Sequence, residues 1–130
     1  IMSESFNIEI ISPDKTIFKS EVGQVTIPSF EGLMTILKNH IPLVTFLRPG
    51  FIEINSNNKN ESFFVEDGTV EFSKNKLLIL TSTAINKKDL KDDIKDQIIK
   101  EAHDKMSKEG VSDKEKYIYS YKISSLEKAN

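Results

Sequence analysis

Cysteine and tryptophan are missing from this 130-residue chain, and Arg48 is its single arginine. Without cysteine there is no disulfide framework, no thiolate metal site and no cysteine nucleophile, and the absence fits a reducing compartment. No apolar run approaches the ~20 residues of a membrane-spanning helix. The start, Ile1-Met2-Ser3-Glu4-Ser5, has neither the basic opening nor the apolar stretch of a secretory signal, and Ile1 ahead of Met2 is read as an added residue and set aside. Glycines are scattered singly, so no phosphate cradle can form, and no serine sits in a G-x-S-x-G elbow. An excess of positive charge is lacking too. With a formal charge of −2 the chain has no basic footprint for nucleic acid. Its basic residues are almost all lysine which, with the many Ile and Asn, fits an AT-rich genome. The lone Arg48 is singled out because a guanidinium makes bidentate contacts that an ammonium cannot.

What is present divides in two. All four prolines and all eight phenylalanines fall before residue 73, and all three tyrosines after residue 116. A chain this long buries roughly two thirds of its unfolded surface, enough for an ordinary core. Phe6-Asn7-Ile8-Glu9-Ile10 alternates apolar and polar, the signature of a half-buried strand. Comparable segments follow at Thr16–Ser20, Gln24–Ile27, Leu33–Leu37, Leu43–Leu47, Phe51–Asn55, Ser62–Val65, Thr69–Ser73 and Lys76–Thr81. Ser12-Pro13-Asp14-Lys15, Pro49-Gly50, Asp67-Gly68 and Lys74-Asn75 punctuate them as turns. Many short strands at this spacing predict a β-sandwich or barrel. Phe63 and Phe64 lack basic flanks and read as strand core rather than base-stacking residues.

From residue 87 the period changes. Leu90, Ile94, Ile98 and Ala102 recur every four residues, with Ile99 and Met106 widening the stripe, and predict an amphipathic helix over Asp89–Lys108. Gly110 offers a stop. Ser112-Asp113-Lys114-Glu115 matches a capping box, which starts a second helix over Asp113–Lys128. Its Tyr117, Ile118, Tyr119, Tyr121, Ile123 and Leu126 leave no single clean stripe, and its residues are mediocre helix formers. The short connection makes the pair an antiparallel hairpin. The expected organisation is therefore a β-sandwich of about ten short strands over 5–86 and a helical hairpin over 87–130.

Chemistry is sparse. His40 and His103 fall on different elements, so separate surface histidines outweigh a metal site. Asp92, Asp93, Asp96, Glu101 and Asp104 could do acid–base or magnesium work, but Lys91, Lys95, Lys100 and Lys105 alternate with them. Asp96→Lys100 and Glu101→Lys105 are favourable helix pairs, so a solvated face is the better reading. No catalytic constellation emerges, and no metal or cofactor is expected. Gly32, Pro42, Pro49 and Gly50 fix loop paths. Apolar tips at Phe30, Leu33, Ile41 and Leu43 suit a docking surface rather than an active site.

One ordered set of segments is familiar: Ile27-Pro28-Ser29-Phe30-Glu31-Gly32-Leu33-Met34-Thr35-Ile36, Asn39-His40-Ile41-Pro42-Leu43-Val44-Thr45 and Leu47-Arg48-Pro49-Gly50. With the opening Phe6–Ile11, Ser12-Pro13 and Asp67-Gly68-Thr69-Val70-Glu71-Phe72 through Ala84, it resembles the epsilon subunit of bacterial F-type ATP synthases, called delta in mitochondria. The resemblance covers residues 5–105. It implies a non-catalytic rotor subunit of the central stalk that links the gamma shaft to the membrane c-ring beneath the catalytic alpha/beta head. It further implies peripheral attachment at the cytoplasmic face of a bacterial inner membrane, or the matrix or stromal side in an organelle, and coupling of proton or sodium flow to ATP synthesis. By match to the motif, Phe30, Glu31, Gly32, Leu33 and Met34 lie at the c-ring, while His40, Pro42 and Leu43 face gamma. An alternative within the family is a nucleotide-sensing inhibitor acting through the hairpin. Relatives that bind ATP carry Ile/Leu-Asp-x-x-Arg-Ala on the first helix. In register this chain has Leu90-Lys91-Asp92-Asp93-Ile94-Lys95, without the acid or the arginine, which argues against ATP sensing. The second helix is also less rich in alanine and arginine than in inhibitory relatives, which argues against inhibition by its extension.

Overall fold

A computed structural model describes residues 4–57 and 59–129. Its strands are β1 Phe6–Ile11, β2 Thr16–Val22, β3 Gln24–Ser29, β4 Gly32–Leu37, β5 Leu43–Leu47, β6 Gly50–Asn55, β7 Asn60–Val65, β8 Gly68–Ser73, β9 Lys76–Leu80 and the two-residue β10 Ile85–Asn86. Helices α1 Asp92–Met106 and α2 Asp113–Lys128 follow. The strands form where period-2 alternation allows one face to leave water: Phe6, Ile8 and Ile10 point inward from β1, while Asn7 is exposed. Lys74-Asn75 closes the β8–β9 hairpin as a two-residue turn with both φ values positive, 51° and 57°, the combination that suits strand twist.

All ten strands belong to one curled sheet, ordered β10-β7-β6-β3-β5-β8-β9-β1-β2, with β4 added on β3. Every pairing is antiparallel except β1 with β9. The curl turns on β3. Gln24–Thr26 pair with β6, and three residues later Ser29 pairs with Leu47 of β5, so one strand edge serves both layers. Pro28 sits at the switch, where its missing N–H costs no ladder bond. Gly50 fits beside it because a Cβ there would lie 2.7 Å from the Pro28 Cβ, closer than two carbons can stand. The backbone N–H of Arg48 donates to the Pro28 carbonyl at 2.9 Å and fixes the corner. Between the layers, Phe6, Ile8, Ile10, Val25, Ile27, Ile36, Leu47, Ile52, Ile54, Val70, Phe72, Leu77 and Ile79 form one continuous core. Phe6 and Phe72 meet edge to face at 5.6 Å within it.

The hairpin departs from expectation at its start and its turn. Lys87–Asp89 forms a 3-10 turn, and its N-cap Asn86 accepts from the Lys88 N–H at 3.0 Å. Leu90, read as the first helical apolar position, precedes α1 and is buried against Phe64 and Leu126. α1 ends at Met106 with Ser107 as its cap, so Gly110 (φ 80°) belongs to the loop and not to the helix stop. α2 occupies the expected span, and Ser112 and Glu115 complete the capping box reciprocally. The helices cover the outer face of β6, β7 and β10 through a second, smaller cluster of Phe51, Phe64, Ile85, Leu90, Ile98, Ile99 and Leu126. Phe63 and Phe64 are both buried because the sandwich interior takes one ring and the hairpin the other.

The sandwich cluster contains no residue of either helix. A fragment ending at Asn86 is expected to show β-type circular dichroism and a cooperative melt. It should bind a hydrophobic dye more strongly than the full chain, since Phe51, Phe64 and Ile85 lose their cover. A fragment without a cooperative transition would mean that the hairpin completes the fold.

Candidate docking surface

Two loops project from the sandwich. The β3–β4 turn is Phe30-Glu31, shaped by the Ser29 hydroxyl, which accepts from the Glu31 N–H at 3.1 Å and donates to the Gly32 carbonyl at 2.7 Å. Gly32 has φ of 116°, a conformation that L side chains avoid. Glu31 is exposed and accepts from the Thr45 hydroxyl at 3.4 Å. Leu33 is 72% exposed, whereas Met34 turns inward and packs on the core. Phe30 is exposed on one side only. Its other face stacks on Tyr117 of α2, with ring centroids 5.8 Å apart and planes 20° from parallel.

The β4–β5 loop is held by its neighbours. Asn39 (φ 67°) donates its N–H to the Asn75 side chain at 2.7 Å, and the Asn75 amide donates back to Asn39 Oδ1 at 3.1 Å, tying this loop to the β8–β9 turn. His40 Nδ1 lies 2.7 Å from the Ile41 carbonyl, and its ring meets Phe72 nearly at right angles, 5.9 Å between centroids. Ile41 is 74% exposed, and Pro42 is exposed beside it. Leu43, read from sequence as an apolar tip, is half-buried against the core, so this tip assignment is corrected. Its carbon chain follows Pro42 into the sandwich because β5 starts there.

Sequence reasoning missed the outward residues of β5. Val44 is 71% and Phe46 59% exposed, while Thr45 between them is 7% exposed. The alternation is inverted: the polar residue points in, and the large apolar ones point to solvent. Across the sheet Phe46 pairs with Thr69, which pairs with the exposed Leu80. Phe30, Phe46, Leu80, Ile11 and Pro13 line an open cleft of about 1020 Å³ that Lys114 of α2 also borders. The motif candidates are therefore divided: Met34 and Leu43 pack on the core, while Phe30, Glu31 and Leu33 are exposed at the start of β4 and Pro42 beyond its end, with Val44 and Phe46 exposed along the β5 strand that follows.

The remaining candidates are dispersed. His40 sits in its loop and His103 is exposed on α1. Asp92, Asp93, Asp96, Glu101 and Asp104 are all exposed along α1, and the close pairs are Lys95–Asp92 at 3.6 Å and Lys100–Asp104 at 3.4 Å rather than the expected ones. Among the described residues no group of three His, Asp or Glu side chains could hold a metal ion. Lys95 is largely buried and donates to the Ala129 carbonyl at 3.0 Å, which ties α1 to the end of α2. Arg48 lies under α2, its guanidinium 4.0 Å from the centre of the Tyr121 ring. Desolvation, then hydrogen bonding to Tyr121, raises the Tyr117 phenol above its ordinary value, so Tyr117 stays neutral beside Arg48 at neutral pH.

Residues 5–87 match the β-sandwich domain of the ATP synthase delta/epsilon chain. The chain is 41% identical over 130 residues to the ATP synthase epsilon chain of Pelagibacter ubique (strain HTCC1062), covering 99% of this chain and 100% of that relative. It is 37% identical over 90 residues to the epsilon chain of Leptospira borgpetersenii, covering 69% of this chain and 71% of the relative. A chain in the Euglena gracilis mitochondrial ATP synthase (OSCP/F1/c-ring, rotational state 1) has the same fold, with a TM-score of 0.79 at 23% identity, covering 95% of this chain and 79% of its own. One in the Tetrahymena thermophila mitochondrial ATP synthase (central stalk/c-ring) matches with a TM-score of 0.65 at 16% identity, covering 95% and 94%. A sandwich of this topology and register, followed by a hairpin and matched along its length by epsilon chains, places the chain in the delta/epsilon family of ATP synthase.

Proposed function

We propose that this chain is a non-catalytic central-stalk subunit that joins the gamma shaft to the c-ring and so passes rotation between membrane and head. The observation that carries the reading is the inverted strand β5. Val44 and Phe46 face solvent on the strand that follows the exposed Ile41 and Pro42, and a cluster of exposed apolar side chains on a small folded protein marks an interface. The fixed geometry of both loops supports the same reading, since pre-organised loops lose little entropy on binding. The Phe30–Leu33 turn is assigned to the c-ring, and the His40–Pro42 loop, extended by Val44 and Phe46, to gamma. Leu43 and Met34 support these loops from within, so their part is positional. Attachment to the membrane is peripheral, through the complex; among the described residues no helix is long and apolar enough to cross a bilayer.

The contrast between neighbours on β5 gives the test. Val44→Asp is expected to leave the melting temperature nearly unchanged, within about ±0.5 kcal/mol, and to weaken binding to purified gamma by more than ~1 kcal/mol. Leu43→Asp should lower the melting temperature clearly, because it places a carboxylate against the core. If Val44→Asp binds gamma as the parent does, the docking face lies elsewhere. If Leu43→Asp melts like the parent, the inward assignment of Leu43 is wrong.

The second family reading, a nucleotide sensor, is disfavoured by Lys95. Its ammonium is engaged by Ala129 and Asp92 and lacks a guanidinium fork. Calorimetric titration with ATP is expected to show no binding stronger than ~1 μM, about −8 kcal/mol. Tighter binding would restore the sensor reading.

A further inference from the structure

The sheet leaves three strands with a neighbour on one side only: β2 and β10 at the ends of the strand order, and β4, which pairs with β3 alone. A row of unpaired N–H and C=O groups is a template for another strand, and folded proteins guard such rows with charge, proline or brevity. β2 exposes Lys19 and Glu21, and β10 is two residues long. β4, Gly32-Leu33-Met34-Thr35-Ile36-Leu37, has none of these guards. Leu33 is 72% and Leu37 50% exposed, with Thr35 exposed between them, whereas Met34 packs on the core and Ile36 is buried in it.

The direction of the β4 backbone groups follows from the register. Pro28 stands opposite Leu33 and has no N–H to give, and its carbonyl accepts from the Arg48 N–H, away from β4. Leu33 and Pro28 are therefore a pair without ladder bonds. Such pairs alternate along an antiparallel ladder, so Thr35 with Thr26 and Leu37 with Gln24 are pairs of the same kind. Thr26 and Gln24 pair with β6 on their other side. Leu33, Thr35 and Leu37 thus turn their N–H and C=O groups to the open edge. The Leu37 carbonyl accepts from the His40 N–H at 3.1 Å and keeps a second lone pair. The segment is also nearly a palindrome about Thr35, with Leu33 mirroring Leu37 and Met34 mirroring Ile36. Glu31 precedes it and Lys38 follows it, so an antiparallel copy brings unlike charges toward each other at both ends.

We propose that β4 is a self-pairing edge: two copies of this chain join β4 to β4, antiparallel, about a two-fold axis at Thr35, with Leu33 opposite Leu37 of the second copy. The outward residues then exchange backbone bonds with their opposites, Leu33 and Leu37 bury their side chains against each other across the seam, and one sheet runs through both copies. The interface is isologous and closes on itself. Being one strand wide, it is weak and forms only at high concentration. Pairing covers Leu33, so it and the c-ring docking proposed above exclude each other. It is measured on the isolated chain and does not rest on that reading.

Sedimentation velocity of the full chain is expected to show a monomer at ~10 μM passing to a dimer toward ~1 mM. Over the same range amide exchange at Leu33, Thr35 and Leu37 should slow by about fivefold or more, while exchange in β2 stays constant. Thr35→Lys sets two like charges opposite each other at the axis, and should stay monomeric throughout and melt like the parent. Because the chain has no cysteine, single cysteines read the register. Thr35→Cys should oxidise to a disulfide-linked dimer about tenfold faster than Leu33→Cys, whose thiols the antiparallel register holds apart, and than Lys19→Cys on β2. If Thr35→Lys melts lower than the parent, the cysteine comparison decides alone. A parent that stays monomeric to ~1 mM overturns the proposal. So does a dimer that survives Thr35→Lys, or one in which Leu33→Cys crosslinks as fast as Thr35→Cys, since the copies then meet through another face or register. If the parent stays monomeric while added purified gamma slows the β4 amides, the edge takes a strand of gamma and self-pairing is wrong.

Discussion

The structure depends on one strand serving two layers. β3 leaves β6 after Thr26 and reaches β5 at Ser29, and the change is made at Pro28. A residue with an N–H at the switch would present a donor to neither partner; proline presents none. Gly50 allows the approach that closes the corner, and the Arg48 N–H secures it. From this corner follow the curl of the sheet, the single core between its halves, and the positions of both projecting loops. The Phe30 turn lies immediately after β3, and Arg48-Pro49 immediately before β6, so the corner also sets the ground on which α2 lies.

A second consequence concerns what the sheet offers to solvent. Inside the curl, the inward positions are mostly apolar, with Ser29 and Thr45 among the exceptions. Outside, one face is taken by the hairpin through Phe51, Phe64 and Ile85. Another, along β5, β8 and β9, stays open and carries Val44, Phe46 and Leu80. Leaving such side chains in water forgoes burial on the order of 1.5–3 kcal/mol each. A stability-driven sequence would put threonine out and valine in. The inverted pattern is intelligible as a surface completed by a partner. The hairpin meets the sandwich differently, with an apolar base and an aromatic, cationic free end.

Much of the fold was legible because its signals are local. Period-2 alternation located nine of the ten strands, and only the two-residue β10 was too short to carry a pattern. The capping box fixed the start of α2 to the residue, since Ser112 and Glu115 act on adjacent backbone. Leu90 was misplaced because a residue just before a helix continues its four-residue spacing while answering to a tertiary cluster. α2 looked patternless because it faces two neighbours: Ile123 and Leu126 are buried on one side, and Tyr117 and Tyr121 face the sandwich on another. The two projecting loops could be read from their turn residues. The burial of Leu43 and the exposure of Val44 could not, because a run of Leu, Val, Phe and Leu around one threonine does not reveal which parity faces the core.

The central claim, that this chain works as a stalk subunit bound through its sandwich, is tested most directly by isolating the membrane-attached ATP synthase from the source cells in mild detergent. The account predicts this chain at one copy per gamma, remaining with gamma and the c-ring when the complex is purified to homogeneity. Quantitative recovery of the chain apart from gamma and the c-ring would contradict it.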